Sequence, residues 1–201
     1  MSARVDTPLR RLASQFAESR VAVGGLLTIV LIVLLALLAP WVSPQNPYDL
    51  AALDIMDSRL PPGSKSMGGM VYLLGTDDQG RDLLSAIFYG LRTSIFVAVL
   101  ATLTAVAVGA SVGLVSGYLG GWFDEILMRV VDIQLSFPSI LIALVLLAVL
   151  GQGVDKIVIA LVAVQWAYYA RTVRGTTLVE RNKEYVQAAD RKSTRLNSSH
   201  T

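Results

Sequence analysis

Long uncharged apolar segments alternate with short charged segments along most of this chain. Three of them contain no Asp, Glu, Lys or Arg: residues 21–42, 93–122 and 133–154. A bilayer-spanning helix needs about 20 predominantly apolar residues, so each is long enough to cross a membrane. A fourth uncharged segment, residues 157–170, has only 14 residues. This segment can cross the membrane only if Lys156 and Arg171 extend their charged ends to the two membrane–water interfaces. The pattern predicts an all-α, polytopic transmembrane helical bundle with about four membrane helices.

Composition agrees with a membrane protein and argues against several other classes. Hydrophobic residues make up 54% of the chain and charged residues 16%, whereas soluble domains carry about 25% charged residues. The chain has no Cys and a single His, His200, and it lacks a phosphate-binding Gly-rich loop of the Walker type. A membrane enzyme would have few candidate residues, so we predict no catalytic residue, no metal site and no cofactor. The net charge of +2 is too small to indicate a nucleic-acid partner.

Basic residues near the ends of the apolar segments indicate the orientation. Residues 1–20 contain four arginines, and residues 171–183 contain three arginines and a lysine. Because Lys and Arg are enriched in cytoplasmic loops, both regions are predicted to be cytoplasmic and residues 43–90 to form an external loop. The first apolar segment is longer than the hydrophobic region of a signal peptide, which has about 7–15 residues, so we expect an uncleaved helix.

The stretch LLGTDDQGRDLLSAIFYGLRTS, residues 73–94, has polar residues followed by an apolar helical period. Thr76, Asp77 and Asp78 suit a helix start, where free backbone N–H groups favour acidic partners. After Gly80 the apolar residues recur at helical spacing, which predicts an amphipathic helix on the outer membrane face. Interfacial anchoring alone is the preferred interpretation of this pattern, and a functional motif is the weaker alternative.

The second apolar segment carries small residues four positions apart, which places them on one helix face: Ala101, Ala105, Gly109, Gly113, Gly117 and Gly121. In lipid, helices associate through the close backbone approach that such residues allow. The face is therefore predicted to contact protein, whether as plain helix packing or as the core of a moving bundle.

The stretch GGWFDEILMRVVDIQLSFPSILIALVL, residues 120–147, combines charges with a proline. Asp132 lies one turn beyond Arg129, which predicts an intrahelical ion pair and makes a proton-relay role for the acid the weaker alternative. Pro138 removes a backbone donor and is predicted to kink the third membrane helix.

The stretch YYARTVRGTTLVERNKEYVQAA, residues 168–189, leaves the apolar region with basic residues and ends in a helix-forming segment. One acid, one aromatic ring and small side chains cluster there: Glu184, Tyr185, Val186, Ala188 and Ala189. Such a helix can sit deep in a groove of another protein, although a solvated juxtamembrane helix has a similar composition.

Together these stretches resemble the inner-membrane permease subunits of binding-protein-dependent ABC importers, in particular the C-type subunits of the dipeptide, oligopeptide and nickel group. The resemblance extends over residues 20–189 and is carried by GTDDQGRD, SGYLGGWFDEILMRVVDIQLSFPSILIALVL and ARTVRGTTLVERNKEYVQAA. It implies that six residues form an external family motif: Gly75, Thr76, Asp77, Gly80, Arg81 and Asp82. It also implies that residues 184–189 begin the coupling helix that docks in a cleft of the ATPase.

The family resemblance implies a non-catalytic subunit in the bacterial or archaeal inner membrane. Its expected partners are ABC ATPase subunits, a second permease subunit that forms a heterodimer with this chain, an external substrate-binding protein and the lipid bilayer. The expected cargo is a di- or oligopeptide, or nickel. The alternatives are an ion-coupled secondary carrier, which would need acidic residues at mid-membrane, and a membrane anchor that transports nothing.

The resulting organisation has six segments. They are the cytoplasmic N-terminus (1–20), the first membrane helix (21–42), the external loop (43–90), the permease core with three membrane helices (91–175), the start of the coupling helix (176–189) and a tail (190–201). Residues 190–200 resemble the translation of a short-read sequencing adapter, so we expect the tail to be non-native and the coupling loop to be interrupted after Ala189.

Overall fold

A computed structural model describes residues 8–66 and 68–183. It contains six α-helices: α1 (Pro8–Glu18), α2 (Arg20–Val42), α3 (Leu83–Leu119), α4 (Gly121–Ser136), α5 (Ser139–Leu150) and α6 (Val154–Arg181). The segment between α2 and α3 holds two 3-10 turns, Leu50–Ala52 and Ile55–Asp57, and an antiparallel hairpin of β1 (Ser64–Lys65) and β2 (Val71–Tyr72). The prediction of an all-α membrane bundle is confirmed. The chain divides into two compact units between Phe96 and Val97, inside α3.

Helices α2 and α3 are each long and apolar enough to cross a bilayer, and α4 with α5 supplies a third span if that bent pair is counted as one. The described residues therefore offer two or three spans, where the sequence predicts about four. The missing one corresponds to α6, whose uncharged stretch of 14 residues is shorter than the roughly 17 that a span requires.

The expected interfacial helix and the second membrane helix are one element. Helix α3 runs without interruption from Leu83 to Leu119, over 37 residues. Asp82, and not the Thr76–Asp78 stretch, caps it. The Asp82 side chain accepts a hydrogen bond from the Ser85 N–H at 2.8 Å, which is the geometry of an N-cap residue.

The predicted kink at Pro138 is a complete break. Helix α4 ends at Ser136, α5 begins at Ser139, and the two axes differ by 90°. Pro138 cannot donate a backbone hydrogen bond, and it forces the preceding residue out of the helical region. Phe137 accordingly has extended dihedrals, φ −92° and ψ 143°.

The core of the second unit lies where α4 packs against α6. Val131, Ala167 and Ala170 are fully buried there. Four partly buried side chains surround them: Val112, Met128, Leu135 and Trp166. Apolar side chains elsewhere on α2, α3 and α5 remain largely exposed, as expected of helices that face lipid.

Candidate functional site

Two polar regions stand out. The first, the loop network, consists of Gln45, Asp57, Tyr72, residues 75–82 and Ser85. The second, the helix seam, consists of the residues where α3, α4 and α6 meet, centred on Ser116, Asp124 and Arg174. The loop network lies in the first compact unit and the helix seam in the second.

Thr76 ties the family-like motif to the preceding loop. Its hydroxyl donates to the Asp57 carbonyl at 2.5 Å and accepts from the Leu60 N–H at 2.8 Å. Its own N–H donates to the Leu60 carbonyl at 3.1 Å. Only 7% of the Thr76 surface is exposed. Its hydrogen bonds pair backbone groups of Asp57 and Leu60, which lie outside any regular helix ladder or sheet that could pair them.

Asp77 closes a tight turn around Arg81. One carboxylate oxygen accepts from the N–H groups of Gln79 and Arg81, at 2.8 and 3.0 Å, and the other accepts from Arg81 Nε at 2.7 Å. Burial alone would raise the pKa of Asp77, but the hydrogen bonds from Arg81 and Gln79 together lower it. Neighbouring Asp78 instead forms an exposed pair with Arg59, and the hydrogen bond between them lowers its pKa.

Two glycines of the motif sit where a side chain does not fit. Gly75 and Gly80 have φ of +82° and +76°. A Cβ at Gly75 would collide with the Leu60 carbonyl oxygen, and one at Gly80 with the Asp54 carbonyl oxygen. Both positions therefore require glycine, for the backbone conformation and for the close approach of another segment of the loop.

Asp82 is the buried centre of the loop network. Only 1% of its surface is exposed. One carboxylate oxygen accepts from the N–H and the hydroxyl of Ser85, and the Asp82 N–H donates to Gln45 Oε1 at 2.8 Å. The Gln45 N–H donates to the Ser85 hydroxyl at 3.2 Å. These bonds fix the start of α3 to the residues that follow α2.

A second buried contact joins the hairpin to the same loop. The Tyr72 hydroxyl donates to Asp57 Oδ2 at 2.9 Å, and both residues are almost inaccessible. Burial, the hydrogen bond to Asp57 and the nearby negative charges raise the pKa of Tyr72 to about 12. The tyrosine therefore stays protonated over the physiological range and acts as a donor.

The small residues of α3 fall into two groups. Gly109, Gly113 and Gly117 lie directly against α6, because a Cβ on any of them would contact main-chain or Cβ atoms of that helix. Ala101 and Ala105 are buried. Gly121 does not share this position: it starts α4 with φ +60°, and nothing lies within 4 Å of its missing Cβ.

Asp124 connects three helices at the end of α3. It accepts hydrogen bonds from the Ser116 hydroxyl and from Arg174, whose Nε lies 2.5 Å from Asp124 Oδ1 and whose Nη2 reaches Oδ2. About two helical turns after Arg174 on α6, Arg181 Nη1 lies 3.5 Å from the Gly117 carbonyl oxygen. The spacing of Asp124 in the sequence gives no sign of this cluster.

The predicted ion pair between Arg129 and Asp132 is wrong. Asp132 pairs with Arg171 of α6 instead. A cation placed N-terminal to the acid on one helix is the weaker arrangement of such pairs, and the packing of α4 on α6 supplies a closer partner. Along the same contact, the Gln134 amide donates to the Ala163 and Val164 carbonyls at 2.5 and 3.3 Å.

The predicted coupling residues Glu184, Tyr185, Val186, Ala188 and Ala189 lie outside the described residues, as do residues 190–201. Among residues 8–66 and 68–183, no group of three or more His, Cys, Asp and Glu is arranged to hold a metal ion.

Two family models match the chain. Residues 109–192 match the binding-protein-dependent transport system inner membrane component, and residues 7–62 match the N-terminal TM domain of oligopeptide transport permease C. These two matches cover the helix seam and α2, respectively.

Curated relatives agree with both family matches. Over 91% of this chain, the dipeptide transport system permease proteins DppC of Haemophilus influenzae and Escherichia coli K12 are 37% and 42% identical to it, across 61% and 60% of their own lengths. The oligopeptide transport system permease protein OppC of Bacillus subtilis is 38% identical over 87% of the chain and 54% of its own length. The chain thus spans about three fifths of the length of the curated relatives it matches.

Proposed function

This chain belongs to the family of binding-protein-dependent transport system inner membrane components, and from that premise we propose that it is a permease subunit of an ATP-driven importer of di- or oligopeptides. The observation that carries the proposal is the identity of 33–42% to permeases named for dipeptides, oligopeptides or glutathione, over about nine tenths of the chain. Nickel is the alternative cargo, because the family that the sequence resembles includes nickel permeases.

The chain itself would supply the path and not the energy. Because it carries no Walker-type loop, ATP would be bound and hydrolysed by separate ATPase subunits. Residues 184–189 would dock on such a subunit as the start of a coupling helix and transmit its closure to α6. A second permease subunit would complete the pathway, and an external binding protein would deliver the peptide to the loop between α2 and α3.

The described helices fit this role in two respects. The apolar surfaces of α2, α3 and α5 suit lipid or other membrane helices. Helix α6 runs from the packed core to Arg181, so a displacement of the segment that follows it would act on a helix that packs against α4 and α5.

Transport by the full-length gene product tests the proposal. The complex, purified through this subunit and placed in liposomes with its binding protein, is expected to take up radiolabelled dialanine only with ATP, and vanadate should stop the uptake. Uptake driven by a proton gradient without ATP would identify an ion-coupled carrier instead. Absence of uptake for dialanine and longer peptides, together with ATP-dependent nickel uptake, would reassign the cargo.

The coupling role can be separated from transport as such. Replacing Glu184 by Ala is expected to leave the complex assembled but to reduce ATP-driven uptake by about tenfold, since a charged contact at the ATPase cleft is lost. Glu180→Ala, which removes the same side chain four residues earlier in the sequence, is the control and should retain most uptake. Equal losses in both variants would argue against a specific docking role for residue 184.

Orientation is tested with single cysteines, which the chain's natural lack of Cys allows. Leu50 and Val179 are 80% and 63% exposed. A membrane-impermeant maleimide applied to intact cells should label Leu50→Cys and leave Val179→Cys unlabelled until the cells are opened. The reverse pattern would overturn the predicted cytoplasmic N-terminus.

A further inference from the structure

The Asp124 cluster joins three consecutive parts of the second unit through one carboxylate. Ser116 lies near the end of α3, Asp124 in the first turn of α4 and Arg174 near the end of α6. Ser116 is fully buried and Asp124 is 7% exposed. Each carboxylate oxygen is held by Arg174, and one of them also by Ser116.

Such a cluster is a poor way to add stability but a good way to fix geometry. Taking a carboxylate and a guanidinium out of water offsets most of their attraction, so apolar side chains of similar volume stabilise a core at least as well. A bidentate arginine–carboxylate pair, however, has planar and directional geometry. It holds the end of α6 in one orientation relative to the start of α4.

The neighbouring contacts also fix the position of α6 against α3. A Cβ on Gly113 would lie 2.9 Å from the Arg174 N, and one on Gly117 would lie 2.8 Å from the Thr177 Cβ. The end of α3 therefore lies directly against α6 on both sides of Arg174. Helix α6 cannot slide along α3 without breaking the ion pair or these close contacts.

We propose that Asp124 and Arg174 are positioning residues that make the turn between α3 and α4 and the last turns of α6 move as one body. A push on the segment after Arg181 then reaches α4, and through it the break at residues 136–138, instead of bending α6 alone. This inference rests on the proposed transport function, but its structural content can be tested without transport.

The seam offers a matched control within the same pair of helices. Asp132 and Arg171 also join α4 to α6, yet their side chains are 54% and 53% exposed, against 10% for Asp124 and 32% for Arg174. Exposed pairs contribute little, whereas breaking a buried pair leaves an uncompensated charge. Asp124→Asn and Asp132→Asn make the same chemical change at the two sites.

Coupling is measured as peptides taken up per ATP hydrolysed. For Asp124→Asn we expect this ratio to fall about tenfold while ATP hydrolysis changes by less than about threefold, and for Asp132→Asn we expect a change of about twofold or less. The charge-reversed double variant Asp124→Arg with Arg174→Asp should recover part of the ratio. Equal ratios in the two Asn variants, or a parallel fall of uptake and hydrolysis in Asp124→Asn, would overturn the inference.

Spin labels give a readout that does not depend on transport. Ile126 on α4 and Val179 on α6 are 53% and 63% exposed, so cysteines at both positions can be labelled without disturbing the seam. In the assembled complex, their distance distribution should stay narrow and unchanged when ATP and vanadate are added, and should broaden in Asp124→Asn but not in Asp132→Asn. A distance that changes with nucleotide in the otherwise native protein would refute the single-body inference even if transport is intact. An unchanged distance without any peptide uptake would contradict the proposed function alone.

Discussion

In the loop between α2 and α3, side chains form many of the hydrogen bonds to backbone N–H and C=O groups. In the seam of α3, α4 and α6, those backbone groups are hydrogen-bonded within their own helices. Thr76 and Asp77 bond main-chain groups of the loop, and Asp82 bonds a main-chain N–H in the first turn of α3. The seam instead depends on glycines that admit a neighbouring backbone and on one buried ion pair. The two regions should therefore fail under different substitutions: the loop when a polar partner or a special backbone angle is lost, the seam when volume is added.

The largest effect is expected where volume is added to the seam. Gly113→Leu must displace the Ala170 carbonyl oxygen, which lies 2.5 Å from the place that a Cβ would occupy, and it should lower the free energy of unfolding by more than about 3 kcal/mol. Gly90→Leu, on the same helix with nothing within 4 Å, should be neutral or stabilising by about 0.5–1 kcal/mol, because Leu favours helix more than Gly does. Unfolding in mixed micelles, followed by circular dichroism, measures both. A Gly113→Leu protein as stable as Gly90→Leu would show that the seam is not closely packed.

The sequence is sufficient for features that depend on local periodicity. The four-residue spacing of Gly109, Gly113 and Gly117 predicts that they share one face because a helix repeats every 3.6 residues, and in the structure this face meets α6. The start of α3 is also within reach of the sequence. An Asp directly before an apolar run is a helix-start signal, and Asp82, which precedes Leu83, fits it.

Contacts between distant segments are beyond such reasoning. Nothing in the spacing of Asp124 and Asp132 on α4 shows that Arg174 and Arg171 on α6 are their partners, because that depends on how the two helices pack. Likewise Gln45 and Asp82 are 37 residues apart and meet only because the intervening loop folds back. The break at Pro138 exceeds the kink that the sequence predicts, since a proline in a helix is compatible with either outcome.

The loop should be most sensitive at Gly80. Gly80→Ala combines a left-handed backbone angle with a collision against the Asp54 carbonyl oxygen, and it should destabilise the loop by about 2–3 kcal/mol. Gly69→Ala has a similar angle, φ +88°, but open space, so it should show only the backbone term of roughly 1–2 kcal/mol. Amide hydrogen exchange of the loop reports the local opening free energy. Equal effects of the two variants would mean that the close approach to Asp54 is absent.

A smaller effect is expected from the buried Tyr72 hydroxyl. Tyr72→Phe leaves the Asp57 carboxylate without its donor and should weaken the loop by about 1–3 kcal/mol, whereas Tyr48→Phe, on a ring that is 64% exposed, should be nearly neutral. Because the pKa of Tyr72 is raised to about 12, the stabilisation is complete below pH about 10 and is lost as the pH rises toward 12. An absorbance titration should show one tyrosine ionising near pH 12, and Tyr72→Phe should remove it. A high-pH titration that is identical in the two proteins would assign the shift to another tyrosine.

The smallest expected effect separates two adjacent carboxylates. The pKa of Asp77 is lowered in the fold, so its contribution is present above the unfolded pKa of about 4 and is lost as the pH falls through the lower folded pKa. Asp77→Asn should weaken the turn by about 1 kcal/mol at neutral pH and flatten its response to acid. Asp78→Asn makes the same change in a pair that is about three quarters exposed, and it should leave that response as it is. Hydrogen exchange at the Gln79 and Arg81 amides between about pH 6 and pH 2 distinguishes them. If Asp78→Asn flattens the pH dependence of hydrogen exchange instead, the exposed pair with Arg59, and not the Asp77 turn, holds this part of the loop. The stability of the loop in acid would then not depend on the side chains that hydrogen-bond its backbone.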